Sequence, residues 1–563
     1  MNSRGVPVGR SNTSGEGTRR RAPHTRAEGH DAGGNGGGTA TTAPDRDGER
    51  DSGSGHRAGR RGGRRKPRKK HRVLRWIAIS VAFLVLGTGA AGYLWYQHLN
   101  GNLRKGERSA GNSGAKKTAP NAKGETPLNL LLIGSDSRNS KENLKLGGSR
   151  ESVGAEPLAD VQMLLHVSAD RKNASVVSIP RDTRVDIPAC KNPDTGKTYP
   201  AANDLINVSL RGGAGCTLDT WEKLTGVYID HWMMVDFAGV VAMADAVGGA
   251  EVCVKQDLYD LPKPKVPGGS FLRMKAGTHK IQGETALKWL RTRHAFGSDI
   301  GRSKAQHMYL NAVLRELKSQ NAFTDTGRLM NLAETGTKSL QVSEELGTVK
   351  KLFDLGMQLK NVPLEKMNML TMPRITDPED DNHVLPKPGS ADKLWALLRE
   401  DQSLDAKDRA KEKKKAAQGP KAGAPASLGI TVANGTGADG RPPAAGRAAA
   451  VRDLLESKGF TEADTTTAPG SALTTEVSYP RSAGAQGKSD ALSVAKALGL
   501  PSSAVKDTPD GAGLTLTVGS DWRTGSEAPK TVDDDSDPLE GTEAVNGAKA
   551  DDCMDVYWPY RTP

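Results

Sequence analysis

Residues 128–138 read Leu-Asn-Leu-Leu-Leu-Ile-Gly-Ser-Asp-Ser-Arg, a short apolar run that passes directly into polar side chains. An aliphatic run of this length that ends at a glycine is typical of a strand buried on both faces. Met163 to Val167 and Ser175 to Ile179 repeat the pattern. These segments therefore predict the inner strands of a sheet, with polar residues at the carboxyl end of the first strand.

Segments with helical spacing alternate with these strands and with further predicted strands at His231 to Val235, Ala250 to Val254 and Met367 to Met372. The helical segments are Leu218 to Leu224, Phe237 to Val247, Thr285 to Arg291, Ser303 to Leu317, Arg328 to Leu340, Leu346 to Leu359 and Ala391 to Leu398. The alternation predicts an α/β domain over residues 127–400, with helices on both faces of a sheet.

A second, smaller domain is predicted after a linker at residues 401–426, which are rich in Lys, Ala, Asp and Gly. Residues 427–521 alternate short strands with two helices, and the first helix ends at Gly459. A small α/β domain follows from this pattern. Residues 522–563 form an acidic segment that we expect to be disordered.

Trp76 to Tyr96 is a run of 21 uncharged residues, preceded by 11 Lys and Arg between Arg57 and Arg75. At about 1.5 Å per residue such a helix crosses a membrane once, with its amino end in the cytoplasm by the positive-inside rule. A cleaved signal peptide and a buried core helix are less consistent with the aromatic end and the basic block. We therefore predict an uncleaved anchor at 76–96, a tether at 97–126 and exported domains beyond it.

The net charge of +13 does not indicate nucleic-acid binding, because residues 1–75 hold 19 Lys and Arg against 7 Asp and Glu. The charge is confined to this Gly- and Ser-rich tail, which is predicted to be disordered. The four cysteines, at 190, 216, 253 and 553, lie beyond the anchor, where disulfides are permitted. Three pairings are possible, and we expect at least one bridge among Cys190, Cys216 and Cys253.

Candidate site residues follow two of the predicted strands. Asp136 and Arg138 come directly after the first strand, and Arg181 follows the strand at Ser175 to Ile179. Asp160 adds a carboxylate just before the strand at Met163 to Val167. Ligands in open α/β sheets bind beyond the carboxyl ends of strands. Taken alone, each pair is equally explained as a cap or a surface ion pair.

A third segment is more specific. Arg291 and Arg293 close a helix, and Asp299, Arg302 and Gln306 follow with spacing i, i+3 and i+7. On a helix these three side chains lie along one stripe. An exposed, salt-bridged helix face is the alternative interpretation of the stripe.

Taken together, these segments resemble the LytR-CpsA-Psr family of cell-wall assembly proteins over about Pro127 to Arg399. The resemblance also includes Asn207, Ile229-Asp230-His231, Val235-Asp236-Phe237 and Asp245-Ala246-Val247-Gly248-Gly249. Residues 427–521, which begin with Val432-Ala433-Asn434-Gly435-Thr436, resemble the carboxyl-terminal domain that often accompanies this family in Gram-positive bacteria.

The resemblance implies a central mixed sheet and a phosphotransferase that moves a glycopolymer from a polyprenyl-pyrophosphate carrier in the membrane to peptidoglycan. It implies a prenyl chain in an apolar tunnel between sheet and helices, with the pyrophosphate at the mouth. It also implies Mg²⁺ held by Asp136 and Asp160, since Mg²⁺ is commonly bound by one or two carboxylates plus substrate phosphates. Roles in anion binding fall to Arg138, Arg181, Arg291, Arg293 and Arg302, with Asp299 orienting Arg302 and Gln306 donating to a phosphate oxygen.

Two residues depart from the family pattern. Leu158 and Leu205 stand where the family usually carries Arg and Lys, and Arg150 or Arg184 are candidates to replace one missing cation. One alternative function is therefore a non-catalytic scaffold that binds the lipid pyrophosphate. A transcriptional regulator is the second alternative, which the absence of a helix-turn-helix pattern in the basic tail disfavours.

Overall fold

The computed structural model describes residues 70–111, 113–118, 120–121, 123–137, 140–146, 154–264, 266–297, 299–319, 325–417, 420–437, 441–468, 472, 474–500, 504–508, 513–528, 542, 544–547 and 553–563. Most of the predicted cytoplasmic tail, residues 1–69, lies outside this part of the chain, as do Arg138 and Arg150.

The described residues form helices of very different lengths. In chain order these are α1 (Lys70–Asn102), α2 (Lys141–Lys145), α3 (Ala214–Thr225), α4 (Phe237–Val247), α5 (Gly283–Arg291), α6 (Asp299–Ser319), α7 (Thr326–Ser339), α8 (Val349–Asn361), α9 (Ser390–Arg399), α10 (Ala406–Ala417), α11 (Arg447–Ser457) and α12 (Gly484–Leu498).

The strands of the described residues are mostly short. They are β1 (Arg104–Gly106), β2 (Leu128–Ser135), β3 (Ala159–Val167), β4 (Ala174–Ser178), β5 (Arg184–Ile187), β6 (Cys190–Lys191), β7 (Thr198–Tyr199), β8 (Ala202–Leu205), β9 (His231–Val235), β10 (Ala250–Val254), β11 (Leu258–Tyr259), β12 (Arg273–Met274), β13 (Gly277–Ile281), β14 (Leu340–Ser343), β15 (Met367–Thr371), β16 (Arg374–Asp377), β17 (Asp380–Pro386), β18 (Ile430–Asn434), β19 (Ala463–Thr465), β20 (Glu476–Pro480), β21 (Val505–Thr508), β22 (Leu514–Val518) and β23 (Val545–Asn546).

The main sheet has the strand order β1-β14-β9-β2-β3-β4-β15-β23. Strand β2 pairs parallel with β9 and antiparallel with β3, so the sheet is mixed, as expected. Successive residues of a strand point to opposite faces. Leu130 and Leu131 accordingly belong to two separate buried clusters, one on each face of the sheet.

Helices cover both faces, which confirms the predicted α/β architecture. On the face of Leu130, α4, α5 and α6 contribute buried side chains such as Ala244, Trp289 and Met308. On the face of Leu131, α3 and α9 contribute buried residues that include Trp221. The sheet is therefore enclosed between two helical layers, and the first of these layers, α4 to α6, forms the roof of the candidate site.

The second domain is a five-stranded sheet in the order β19-β18-β22-β20-β21, and α11 and α12 pack against it. Its core includes Val432, Leu455, Phe460 and Leu516, all at most 2% exposed. A small carboxyl-terminal α/β domain is thus present, as the alternation of residues 427–521 predicted.

Helix α1 is longer than the predicted span of residues 76–96. The helix segment from Arg72 to Asn102 is long and apolar enough to cross a membrane, by length and composition. Its last turn is part of the folded domain, because Leu99 is 1% exposed and Asn100 Oδ1 accepts a hydrogen bond from Val349 N at 2.9 Å. Strand β1 then pairs with β14. The first part of the predicted tether, residues 97–106, therefore contains the end of a helix and an edge strand of the main sheet.

The chain end also differs from its prediction. Strand β23 pairs with β15 at the edge of the main sheet, and Cys553 forms a disulfide with Cys253, 300 residues earlier. Residues 545–546 and 553–560 thus pack against the first domain, whereas Trp522 and Ala528 belong to the core of the second domain. For these described residues the expectation of a disordered tail is wrong. Cys190 and Cys216 form the other disulfide, which confirms the expected bridge within residues 190–253.

The predicted linker carries structure as well. Helix α10 lies within residues 401–426, and Leu404 is fully buried. Asp401 Oδ1 lies 3.1 Å from His166 Nε2, so the start of this segment is bonded to strand β3.

Candidate functional site

A cavity of about 580 Å³ lies between the main sheet and helices α4, α5 and α6. Its volume is within the usual range for small-molecule sites. The walls are mostly aliphatic and are contributed by both layers, with Leu132, Met163, Met233, Val240, Met243, Val247, Leu287, Leu310, Val313 and Leu340 among the lining residues. The cavity is therefore an apolar chamber open at one end to a polar mouth.

Charged side chains are concentrated at the mouth. Within the described residues, the lining includes four arginines, Arg181, Arg291, Arg293 and Arg302, together with Asp160, Asp236, Asp260, His294 and Gln306. The structure thus brings together Asp160, Gln306 and the four arginines from the predicted site. Asp136 and Asp299 adjoin this group without lining the cavity, and Arg138 lies outside the described residues.

Arg181 reaches the mouth because the chain turns sharply after β4. The turn closes where Thr183 N donates to Pro180 O at 3.0 Å. The Arg181 guanidinium lies 3.1 Å from Asp160 Oδ1 through Nη1, and its Nε lies 3.3 Å from Asp182 Oδ1. That second contact does not have hydrogen-bond geometry, and the buried Nε–H of Arg181 has no acceptor.

Arg302 approaches the same point from the first turn of α6. Its Nη2 lies 2.8 Å from Asp299 Oδ1, an ion pair without hydrogen-bond geometry, and its buried Nε has no hydrogen-bond acceptor. The helix can start here only because residue 301 is glycine, since a Cβ at that position would lie 2.0 Å from Phe296 O. Two buried arginine Nε–H groups, one from the turn after β4 and one from α6, thus make no hydrogen bond within the described structure.

Both guanidinium groups are cations near neutral pH. Burial lowers the pKa of Arg181, but the charges of Asp160 and Asp182 outweigh burial, and its net pKa shift is upward. Burial lowers the pKa of Arg302 below its ordinary value, against the attraction of Asp299. Burial also raises the pKa of the Asp182 carboxyl, although Arg181 lies beside it. The mouth therefore keeps its positive charges next to partly desolvated carboxylates.

Arg291 and Arg293 come from the end of α5. Arg291 Nη1 donates to Leu146 O at 2.9 Å, and the guanidinium carbon lies 4.9 Å from the centroid of the Phe237 ring. Arg293 Nε donates to His294 Nε2 at 3.2 Å. The buried Thr292 between them donates to Lys288 O, which fixes the turn so that the flanking arginines reach the cavity.

The two predicted metal ligands lie on neighbouring strands. Strands β2 and β3 are antiparallel and Ser135 pairs with Ala159, so Asp136 lies opposite Leu158, two residues before Asp160 on the neighbouring strand. Asp136 Oδ1 accepts a hydrogen bond from Leu158 N at 2.7 Å. Within the described part of the chain, no group of three or more His, Cys, Asp or Glu side chains is arranged so that it could hold a metal ion by itself. Two carboxylates are the type of donor that Mg²⁺ takes when substrate phosphates and water supply the remaining oxygens.

Three further observations change or extend the predicted site. The Gln306 amide nitrogen already donates to Leu290 O at 3.0 Å, so only its second N–H is left for a phosphate oxygen. Phe237 and His294 contact the arginines of the mouth but were not predicted as site residues. The signals for them in the sequence were the adjacency of Phe237 to Asp236 and of His294 to Arg293.

The structure corrects one proposed replacement for the missing cations. Arg184 Nη2 donates to Asp377 Oδ1 at 2.8 Å and also pairs with Glu379, and Arg184 does not line the cavity. It therefore does not replace the cation that is absent at Leu158 or at Leu205. Leu205 itself pairs with Arg184 across β5 and β8.

The chain is similar in sequence to two bacterial proteins. The chain is 28% identical to the cell wall biosynthesis protein LcpA of Corynebacterium glutamicum over 325 residues, 54% of this chain and 60% of LcpA. It is 27% identical to the polyisoprenyl-teichoic acid–peptidoglycan teichoic acid transferase TagT of Bacillus subtilis over 296 residues, 52% of this chain and 84% of TagT. The chain thus spans less than two thirds of LcpA and most of TagT.

Among solved structures, a LytR-Csp2A-Psr enzyme from Actinomyces oris matches with a TM-score of 0.38 at 18% identity, over 53% of this chain and 95% of that chain. A family model described as LytR cell envelope-related transcriptional attenuator matches residues 427–522. The model of the LytR_cpsA_psr family matches residues 95–400, more than half of the chain, and the protein therefore belongs to this family.

Proposed function

We propose that this protein transfers a glycopolymer from a polyprenyl-pyrophosphate carrier to peptidoglycan. The observation that carries the proposal is the aliphatic cavity whose mouth holds Arg181, Arg291, Arg293 and Arg302 within the described residues. Aliphatic walls favour a prenyl chain, and guanidinium groups favour bidentate contact with phosphate. The similarity to TagT, a polyisoprenyl-teichoic acid–peptidoglycan teichoic acid transferase, supports the same chemistry.

In the proposed reaction, a hydroxyl oxygen of peptidoglycan attacks the phosphorus next to the sugar. A new phosphorus–oxygen bond forms, the anhydride bond breaks, polyprenyl phosphate leaves with the bonding electron pair, and the hydroxyl proton passes to solvent. The arginines at the mouth would stabilise the charge on the transferred phosphoryl group and on the leaving phosphate. The unpartnered Nε–H groups of Arg181 and Arg302 are donors ready for this task.

Mg²⁺ is proposed as the cofactor, with Asp136 and Asp160 as its protein ligands. When bound, it would neutralise part of the pyrophosphate charge. Asp160 then has two partners, because its Oδ1 also pairs with Arg181 at 3.1 Å. That ion pair would fix the position of the Asp160 carboxylate relative to the Arg181 guanidinium at the mouth.

The membrane topology is part of the proposal. The apolar part of α1, which begins at Trp76, follows the basic residues between Arg57 and Arg75, and this order favours a single span with a cytoplasmic amino end. Both folded domains would then lie outside the cell membrane, where a peptidoglycan acceptor is accessible.

The test uses the purified full-length protein with a radiolabelled polyprenyl-pyrophosphate saccharide and peptidoglycan. We expect label to appear in peptidoglycan, and we expect EDTA to stop the transfer and added Mg²⁺ to restore it. Transfer that is unaffected by EDTA would reject the metal assignment. Binding of the labelled lipid without any transfer would reject the proposed enzymatic activity and favour a non-catalytic scaffold. The scaffold is considered because Leu158 stands where the family usually carries a cation.

A further inference from the structure

The last residues of the chain, 553–563, form a segment that we call the C-terminal strap. It is fixed to the first domain by the disulfide between Cys253 and Cys553. Backbone hydrogen bonds from Met554 N to Cys253 O at 2.9 Å and from Lys255 N to Met554 O at 3.0 Å align the strap with the end of β10. The strap is thus an ordered part of the domain that contains the cavity.

The strap buries its own side chains in the same core that surrounds the cavity. Met554 is 4% exposed, Val556 1% and Tyr560 4%, and all three belong to the cluster that contains Trp289 and Phe296. In contrast, Trp558 is 76% exposed. Burial of three apolar side chains in this short segment indicates a specific position on the domain.

The strap ends against the polar mouth. Tyr557 N donates to Ala295 O at 2.7 Å, which places the strap beside the turn that follows α5. The Tyr560 ring is stacked on the His294 ring, with 6.2 Å between the centroids and 20° between the planes. His294 is a lining residue of the cavity mouth, so the strap contacts the site directly.

His294 transmits this contact to an arginine. Its Nε2 accepts the hydrogen bond from Arg293 Nε at 3.2 Å, and Arg293 lines the cavity. A long side chain that is held in one rotamer before binding loses less conformational entropy when a ligand arrives. Tyr560 thus contacts His294, and His294 contacts Arg293. Arg293 in turn would contact a bound anion.

We propose that Tyr560 is a positioning residue for the anion-binding mouth, which holds the Arg293 guanidinium toward pyrophosphate through His294. This inference rests on the proposed function, because it takes a prenyl pyrophosphate as the ligand. The Cys253–Cys553 disulfide keeps the strap in place for this role. The strap therefore contributes to the site from a position 267 residues beyond Arg293 along the chain.

The test measures the affinity of the full-length protein in detergent for geranylgeranyl pyrophosphate and, as a neutral probe, geranylgeraniol. Tyr560→Ala is expected to weaken pyrophosphate binding on the order of tenfold, because one charge-assisted hydrogen bond becomes misaligned. Tyr560→Phe keeps the ring and should bind as the parent does. Trp558→Ala, a strap change at an exposed side chain, is the matched control and should also bind as the parent does. Geranylgeraniol affinity should be the same in all four proteins.

A double-mutant cycle separates positioning from general support of the fold. In an Arg293→Ala background, Tyr560→Ala should have no further effect on pyrophosphate affinity, because the residue it positions is gone. Should Tyr560→Ala not fold, Tyr560→Leu keeps the apolar volume without the stacked ring and carries the same expectation.

The outcomes are distinct. Parent-like pyrophosphate affinity in Tyr560→Ala, or an equal loss with and without Arg293, overturns the positioning role. An equal loss of geranylgeraniol affinity does so too, because it would show that Tyr560 only supports the cavity wall. A parent protein that binds geranylgeraniol but not the pyrophosphate rejects the proposed function itself, and the positioning role with it.

Discussion

Arg302 provides the sharpest test of the anion-binding mouth. Its side chain is 11% exposed, one of its nitrogens pairs with Asp299 at 2.8 Å, and its Nε has no acceptor within the protein. Arg302→Ala should weaken binding of geranylgeranyl pyrophosphate by roughly 10- to 150-fold. This range follows from about 1.5–3 kcal/mol for a hydrogen bond to a charged group and about 1.4 kcal/mol per factor of ten in affinity. The unpaired Asp299 carboxylate would add repulsion toward the phosphates.

The assay is isothermal titration calorimetry on the full-length protein, with unfolding followed in parallel. Arg302→Lys should recover only part of the affinity, because an ammonium group lacks the planar fork of donors. Arg452→Ala removes the same charge from a surface pair with Asp453 in the second domain and is the matched control. Parent-like affinity in Arg302→Ala, with a parent-like unfolding transition, would refute the assignment of Arg302 to the anion site.

Three more predictions address other features of the site and the core. Leu158→Arg should raise pyrophosphate affinity, as measured by the same titration, because an added guanidinium beside Asp160 attracts phosphate; unchanged or lower affinity would mean that the space is already filled. Asp136→Ala and Asp160→Ala should each abolish transfer to peptidoglycan while the circular dichroism spectrum stays as in the parent, and full transfer in both would contradict the metal assignment. Complete burial lowers the pKa of His307, which lies beside Ser178, from 6.5 to about 4. Between these pH values the unfolded chain therefore binds a proton that the folded chain does not bind. The free energy of unfolding should fall as the pH drops from 6.5 to 4, by roughly 3 kcal/mol from this group. In urea titrations across that range, His307→Gln should flatten the slope, and a slope equal to that of the parent would show that other groups dominate.

Much of the fold follows from local sequence patterns. The aliphatic run at residues 128–133 is a strand buried on both faces because its side chains alternate between two apolar clusters. Asp299, Arg302 and Gln306 share one face of α6 because the helix repeats every 3.6 residues. The residue patterns therefore predicted the α/β sheet and polar side chains at strand ends, and the family resemblance implied anion-binding arginines at a cavity mouth. Four of the five proposed arginines line the cavity in the described structure.

Element boundaries were less predictable. The apolar run ends at Tyr96, yet α1 continues to Asn102 because Leu99 is buried against the domain. From composition, residues 401–426 were predicted to be a linker and residues 522–563 to be disordered. The reason was that polar segments without periodicity usually bury little apolar surface. Buried residues such as Leu404 and Met554 stabilise these segments through partners that are far away in sequence.

The sequence by itself determined the class of fold, the apolar anchor, the second domain and the kinds of side chain at the mouth, because these depend on neighbours within a few residues along the chain. Only the tertiary structure decided that Arg184 is bound by Asp377 and Glu379 and that Cys553 pairs with Cys253. It also decided that the strap stacks Tyr560 on His294. These contacts join residues up to 300 positions apart. Which distant groups meet depends on how the whole core packs, and core packing is not encoded in any local sequence pattern.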